Sequence, residues 1–144
     1  MLSMKLKILK MLVKSFLTTM QTRRNMADMM AIRLNDMLEH MKDDYKAWAD
    51  RGPDPHGHRA SMYEDFCNSL DYSVGKKYIK VLRREGDYHS SVCAFVVNVE
   101  NDKKFAYGDI LKPAGWATPA RNFARGSVFD TNSMKDCVRW TGAL

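Results

Sequence analysis

The spacing of hydrophobic residues changes character along this chain. Between residues 26 and 49, Met26, Met29, Met30, Arg33, Met37, Leu38, Met41, Tyr45 and Trp48 recur at three- and four-residue steps. That is the period of an amphipathic helix with one stripe turned to a core or a partner. Asn25 is placed to cap its start, with Asp28 at the third helical position, and Arg51-Gly52-Pro53 stops it. Asp54, Pro55, His56, Gly57 and His58 read as a loop. A second, shorter helix is expected over residues 60–71, carrying Met62, Tyr63, Phe66, Cys67 and Leu70.

From residue 75 the pattern becomes that of strands. Residues 77–82 predict one strand, Glu85-Gly86-Asp87 a turn, and residues 91–99, rich in β-branched side chains, a longer strand. Asn101 to Lys104 turn the chain into a third strand over 105–112, interrupted at Gly108-Asp109. Pro119 to Ala124 predict a short helix with proline near its start, ended by Gly126. Ser127–Phe129 and Cys137–Trp140 are candidate closing strands. The expected architecture is α+β: N-terminal helices followed by a small antiparallel sheet. It forms a single domain over 1–144, with a basic leader at 1–25, a helical part at 26–74 and a β-rich, ligand-binding part at 75–144.

The leader reads in three ways: a plain helix, a segment without order, or a basic amphipathic helix lying on a membrane or a partner. Lys5, Lys7, Lys10 and Lys14 break every apolar run, so it lacks the continuous ~7–15-residue core of a secretory signal. The acid-free, amphipathic composition fits a mitochondrial presequence, although such segments favour arginine. No stretch approaches the ~20 apolar residues that span a bilayer.

Charge divides the chain. The overall +6 of the 144 residues resolves into +6 over 1–27, −5 over 28–75 and +5 over 76–144. The acidic and basic parts can attract one another within or between subunits, and a basic C-terminal half suits an anionic ligand. Cys67, Cys93 and Cys137 are odd in number and widely spaced, which supports neither a disulfide scaffold nor a zinc ribbon and predicts reduced thiols. His56 and His58 have no third ligand nearby, so a solvated loop is expected there rather than a metal site. His89 beside Ser90 and Ser91 is read as a strand-edge residue, not part of a triad. No GxGxxG, Walker, HExxH or GxSxG pattern occurs. Neither an enzyme nor a cofactor is expected.

The segment richest in chemistry runs from Gly108 to Gly126. On a helical turn, Arg121 and Arg125 project from one face, and with Lys112 they make a fork suited to phosphate. Trp116, Phe123 and the preceding strand's Phe95 offer flat faces for a base. The alternative is structural: the rings belong to the core, and the arginines pair with Asp109 or Asp130.

The runs Tyr78 to Val81, Ser91 to Phe95, Gly108 to Trp116 and Pro119 to Gly126 resemble small bacteriophage proteins of the Thoeris anti-defence protein one family. The resemblance covers about residues 76–142, and the N-terminal helices match only in general character. It implies a phage-encoded sponge in the host bacterial cytoplasm that binds cyclic ADP-ribose isomers without cleaving them and so blocks Thoeris immunity. It further implies that Arg121 and Arg125 hold the ligand and that Phe95 stacks on its adenine. With Lys112, Trp116, Asn122 and Gly126, these make up the expected ligand-binding set. Homodimers or homohexamers are implied, with a further site for cyclic di- or trinucleotides in some members, and no membrane partner. Arg125→Ala is then expected to abolish tight capture. Three other readings stay open: a nucleic-acid-binding module, suggested by a pI near 9.3; an inhibitor of a host protein acting through the Met-rich helix; and a nucleotide hydrolase.

Overall fold

A computed structural model describes residues 2–87 and 89–144. The fold is α+β, as the pattern predicts. It consists of α1 (Leu2–Ala49), α2 (His58–Ser69), β1 (Leu70–Val74), β2 (Tyr78–Glu85), β3 (His89–Val97), β4 (Asp109–Leu111), β5 (Gly126–Ser127), α3 (Thr131–Cys137), β6 (Val138–Arg139) and β7 (Gly142–Ala143). The chain divides into two compact units, one ending at Ile32 and one running from Arg33 to Leu144.

In the first unit the leader is helical, and α1 runs through the expected start at Asn25. Asn25 caps nothing: its Oδ1 accepts a hydrogen bond from Gln21 Nε2, 3.0 Å away within the same helix. No glycine or proline occurs before Gly52, and Leu, Met and Lys are good helix formers, so nothing local ends the helix there. Thr18, Thr19 and Thr22 donate their hydroxyls to the carbonyls of Lys14, Ser15 and Thr18 at 2.9–3.0 Å.

In the second unit, Met37, Met41 and Tyr45 of the expected stripe are buried, joined by Leu34 and Ala49, which it did not include, whereas Trp48 is 37% exposed. Tyr45 stacks on Phe66 of α2 at 4.4 Å between ring centroids and meets Trp140 edge-on at 5.0 Å. Two polar contacts fix the helix against the C-terminal hairpin. His40 Nε2 donates to the Val138 carbonyl at 2.8 Å, and the Trp140 amide donates to Asp44 Oδ2 at 2.8 Å.

The main sheet is an antiparallel meander in the order β1-β2-β3-β4-β5, with β6 and β7 forming a separate pair. Its register sets Tyr78 opposite Val97 and Phe95 opposite Lys80 and Leu111. Alternation then sends Phe95, Val97 and Leu111 to one face, where they cluster with Phe105 under Tyr78, Val92, Val99 and Ala124. Ile79, Val81, Ala94, Val96 and Ile110, all at most 1% exposed, belong to the other face. Apolar cover on both faces is why β3 reads as a continuous hydrophobic run.

Several predicted elements are corrected. The second helix ends at Ser69, and Leu70 and Asp71 belong to β1, which pairs with β2 from Leu70↔Arg83 to Val74↔Ile79. β2 continues to Glu85, β3 ends at Val97, and only Asp109–Leu111 of the third strand is formed. No helix forms over Pro119–Ala124. That segment lies along the edge of β4: Ala120 N donates to Lys112 O at 2.7 Å and Arg125 N to Ile110 O at 2.8 Å. Pairing with the sheet overrides local propensity here. β5 is confined to Gly126–Ser127, and α3 begins soon after it, capped by Asp130, whose side chain accepts from Ser133 N. Of the expected strand at Cys137–Trp140, only Val138–Arg139 is formed, and Cys137 ends α3.

Candidate anion-binding site

The antiparallel pairing of β2 with β3 sets the first residue of one beside the last residue of the other. The turn before β2 and the loop after β3 therefore share one end of the sheet. Asn98 stitches them together: its amide donates to Lys77 O, and its Nδ2 donates to Gly75 O, both at 2.8 Å. The loop beyond is organised by Asp102, whose Oδ1 accepts from the amides of Lys104 at 2.9 Å and Phe105 at 3.0 Å. Its two carboxylate oxygens also take Arg121 Nη2 at 2.9 and 3.0 Å. Arg121 Nη1 donates to the Tyr78 hydroxyl, and the guanidinium lies over the Phe105 ring, 4.8 Å from its centroid.

These hydrogen bonds hold the Asp102 carboxyl well below the usual carboxylate range, the Arg121 contact contributing most, followed by the Lys104 and Phe105 amides. Arg121 is shifted upward, chiefly by Asp102. The Asp102 side chain is only 2% exposed and that of Arg121 37%, so a shielded carboxylate and a partly exposed guanidinium form a latch between the 98–105 loop and the 119–125 segment.

Around this latch opens a cleft of about 470 Å³ lined by Lys76, Lys77, Val99, Asn101, Asp102, Lys103 and Arg121. With Asp102 and Arg121 neutralising one another, Lys76, Lys77 and Lys103 supply the cleft's remaining positive charge, Lys77 Nζ lying 5.6 Å from the centroid of the Tyr78 ring. Three other clefts of comparable size, 410–480 Å³, belong to the same unit. One of them is acidic, lined by Asp36, Glu39 and Asp43. Another carries Arg51 and Arg139 beside Trp48 and Trp140, whose rings lie 5.5 Å apart and are anchored in the Tyr45 cluster.

The predicted site residues separate. Arg121 reaches the basic cleft but spends its donors on Asp102 and Tyr78. Neither Asp109 nor Asp130 is its partner: Asp109 Oδ2 accepts from the Ala106 amide. Arg125 does not line the cleft. Its Nη1 donates to the Leu144 carbonyl at 3.0 Å, its Nη2 donates to Asn122 Oδ1 at 3.3 Å, and its guanidinium lies 3.9 Å from the centroid of Phe123. The shared face expected of the two arginines depended on a helix that does not form. Phe95 is fully buried and packs edge-on against Tyr78 at 5.8 Å, so it has no face to offer a base.

Lys112 is exposed, and its carbonyl closes the hairpin loop whose proline bridge joins Pro113 to Pro119. Trp116 is half-exposed on that loop, with Lys80 Nζ 4.5 Å from its ring. Gly126 packs against α3, where a Cβ would meet Ser133 O at 2.8 Å and Cys137 Sγ at 2.9 Å. Its role is close packing. Lys76, Lys77, Asn101, Asp102 and Lys103 were missed as a group. The available signal was two lysine-bearing turns at the two outer ends of a predicted antiparallel pair.

Among the described residues, no group of three or more His, Cys, Asp or Glu side chains could hold a metal ion. A family model described as a family of unknown function, DUF7717, matches residues 11–144. No curated protein and no solved structure matches the chain.

Proposed function

The chain belongs to DUF7717, a family of unknown function, and from its own residues we propose that it binds a phosphate-bearing small ligand of the nucleotide class and acts by holding it. The observation that carries this reading is the cleft beside the Asp102–Arg121 latch, with Lys76, Lys77 and Lys103 around it. Lysines lining a concave surface raise its local potential, which attracts a phosphate and speeds its arrival. The Asp102 latch holds the loop that carries Lys103, and Asn98 ties the turn that carries Lys76 and Lys77 to it, which lowers the ordering cost of binding. Retention needs no complementarity to a transition state.

The resemblance to the Thoeris anti-defence family makes cyclic ADP-ribose isomers the first ligands to try. The purified chain is incubated with such an isomer, small molecules are filtered away, and the protein is heat-denatured. Depletion followed by recovery of intact nucleotide supports sequestration, whereas depletion without recovery indicates turnover. Absence of depletion, for this and for other mono- and dinucleotides, removes the reading. A second reading, single-stranded nucleic acid, is favoured by one observation: Trp116 and Phe123 are exposed rings, each with a cation over it, the arrangement on which bases stack. Binding that falls steeply with salt would select it.

A further inference from the structure

The unit ending at Ile32 contains a surface that the ligand cleft does not explain. Every large apolar side chain described from Met4 to Met20 is 49–69% exposed. Scattered exposed leucines are ordinary, but a continuous apolar surface on one helix marks a contact site. At about 100° per residue, Lys7, Lys10 and Lys14 fall on one narrow stripe of α1. The apolar residues spread over the rest of the circumference, interrupted by Lys5, Ser15, Thr18 and Thr19. Residues 1–27 contain six basic residues and no acid.

We propose that the first five turns of α1 lie on an anionic lipid surface. Two features select this occupant over a second copy of the chain. The first is charge. Six cations without an acid attract anionic headgroups, whereas two such segments laid against one another repel; pairing with the acidic 28–75 segment of a second copy is the competitor that sedimentation tests. The second is Lys5, which sits in the middle of the apolar arc. A seam between copies would bury its ammonium with no carboxylate in either segment to pair with it, a costly arrangement. At a lipid surface its stem lies along hydrocarbon while its head reaches a phosphate. The helix lies on the bilayer and does not cross it: no helix among the described residues is long and apolar enough to span. Leu9, Leu12 and Phe16 enter the acyl boundary, and the lysine stripe, on the opposite side of the helix, lies at the aqueous edge of the headgroup layer, within range of its negative potential. The proposal departs from the sequence-based expectation of no membrane partner.

The test is flotation of the 144-residue chain with vesicles of phosphatidylcholine alone and with phosphatidylglycerol added. The proposal expects flotation with the anionic vesicles only, weakening as salt rises. Each of Lys7→Ala, Lys10→Ala and Lys14→Ala should lower the partition coefficient about fivefold. Leu9→Glu combined with Phe16→Glu, both at exposed positions, should abolish flotation while leaving the near-UV circular dichroism unchanged. Absence of flotation by the wild-type chain overturns the proposal, as does equal flotation with both vesicle types. So does sedimentation showing that residues 4–20 associate copies of the chain, with the double variant dissociating them and vesicles having no effect.

Discussion

Asp102 and Arg121 show how much one ion pair organises when its carboxylate is shielded. The aspartate receives two backbone amides and a guanidinium, so the residue read as turn material is the pin of its loop. Because its folded pKa is depressed, it adds stability in full above its unfolded value of about 3.9. That contribution is lost as pH falls from there toward the folded pKa. Unfolding free energy measured by urea titration should therefore fall more steeply with acidification below about pH 4 in the wild type than in Asp102→Asn, which has no proton to take up at that position. The thiols allow a second measurement. Burial pushes the Cys93 thiol up to about 11 and raises Cys137 as well, whereas Cys67 is half-buried. Thiolate is the reactive form. An aromatic disulfide reagent at pH 8 should accordingly label Cys67 rapidly and the other two only at the rate of unfolding.

At the scale of elements, long periodic segments were legible and short paired ones were not. The stripe from Met37 to Tyr45 announces its helix because it repeats over several turns. By contrast, β1 was read as the end of a helix: Leu70 continues the apolar spacing of Tyr63 and Phe66, and only pairing with β2 makes Leu70–Val74 extended. The predicted helix at Pro119–Ala124 failed in the same direction, since its hydrogen bonds go to Lys112 O and Ile110 O across the hairpin loop, beyond the reach of helical spacing. Helix α1 itself supplies a contrast between like residues in different settings. Met37 is fully buried and Met11 is 69% exposed. Met37→Ala should lower stability by about 2–5 kcal/mol, the loss of transfer energy plus the cavity left behind. Met11→Ala should change it by no more than about 0.5 kcal/mol. Denaturant melts of the two variants in the absence of lipid check both values.

At the scale of the whole molecule, positive charge is concentrated on two surfaces that need not act together: the cleft within Arg33–Leu144 and the lysine stripe near the start of α1. The second half's charge was visible in the sequence. Its convergence was not, because the residues that converge lie on turns about 25 positions apart and are joined only by the β2–β3 register. The pair at Arg121 and Arg125 shares no face, since spacing by four has meaning only on a helix. The two surfaces should separate genetically. Lys76→Glu combined with Lys103→Glu reverses charge at the cleft without touching the Asp102 latch. It should weaken nucleotide binding at least about tenfold, ~1.4 kcal/mol, and leave vesicle flotation intact. Leu9→Glu with Phe16→Glu should do the reverse. Arg125→Ala, which by resemblance would abolish capture, should leave cleft affinity within about twofold, ~0.4 kcal/mol, because its guanidinium is engaged with Leu144 and Phe123. Calorimetry and flotation on the same three preparations distinguish the cases. Should Arg125→Ala alone abolish nucleotide binding, the ligand belongs at the Phe123–Leu144 contact, and the lysine cleft loses its assignment.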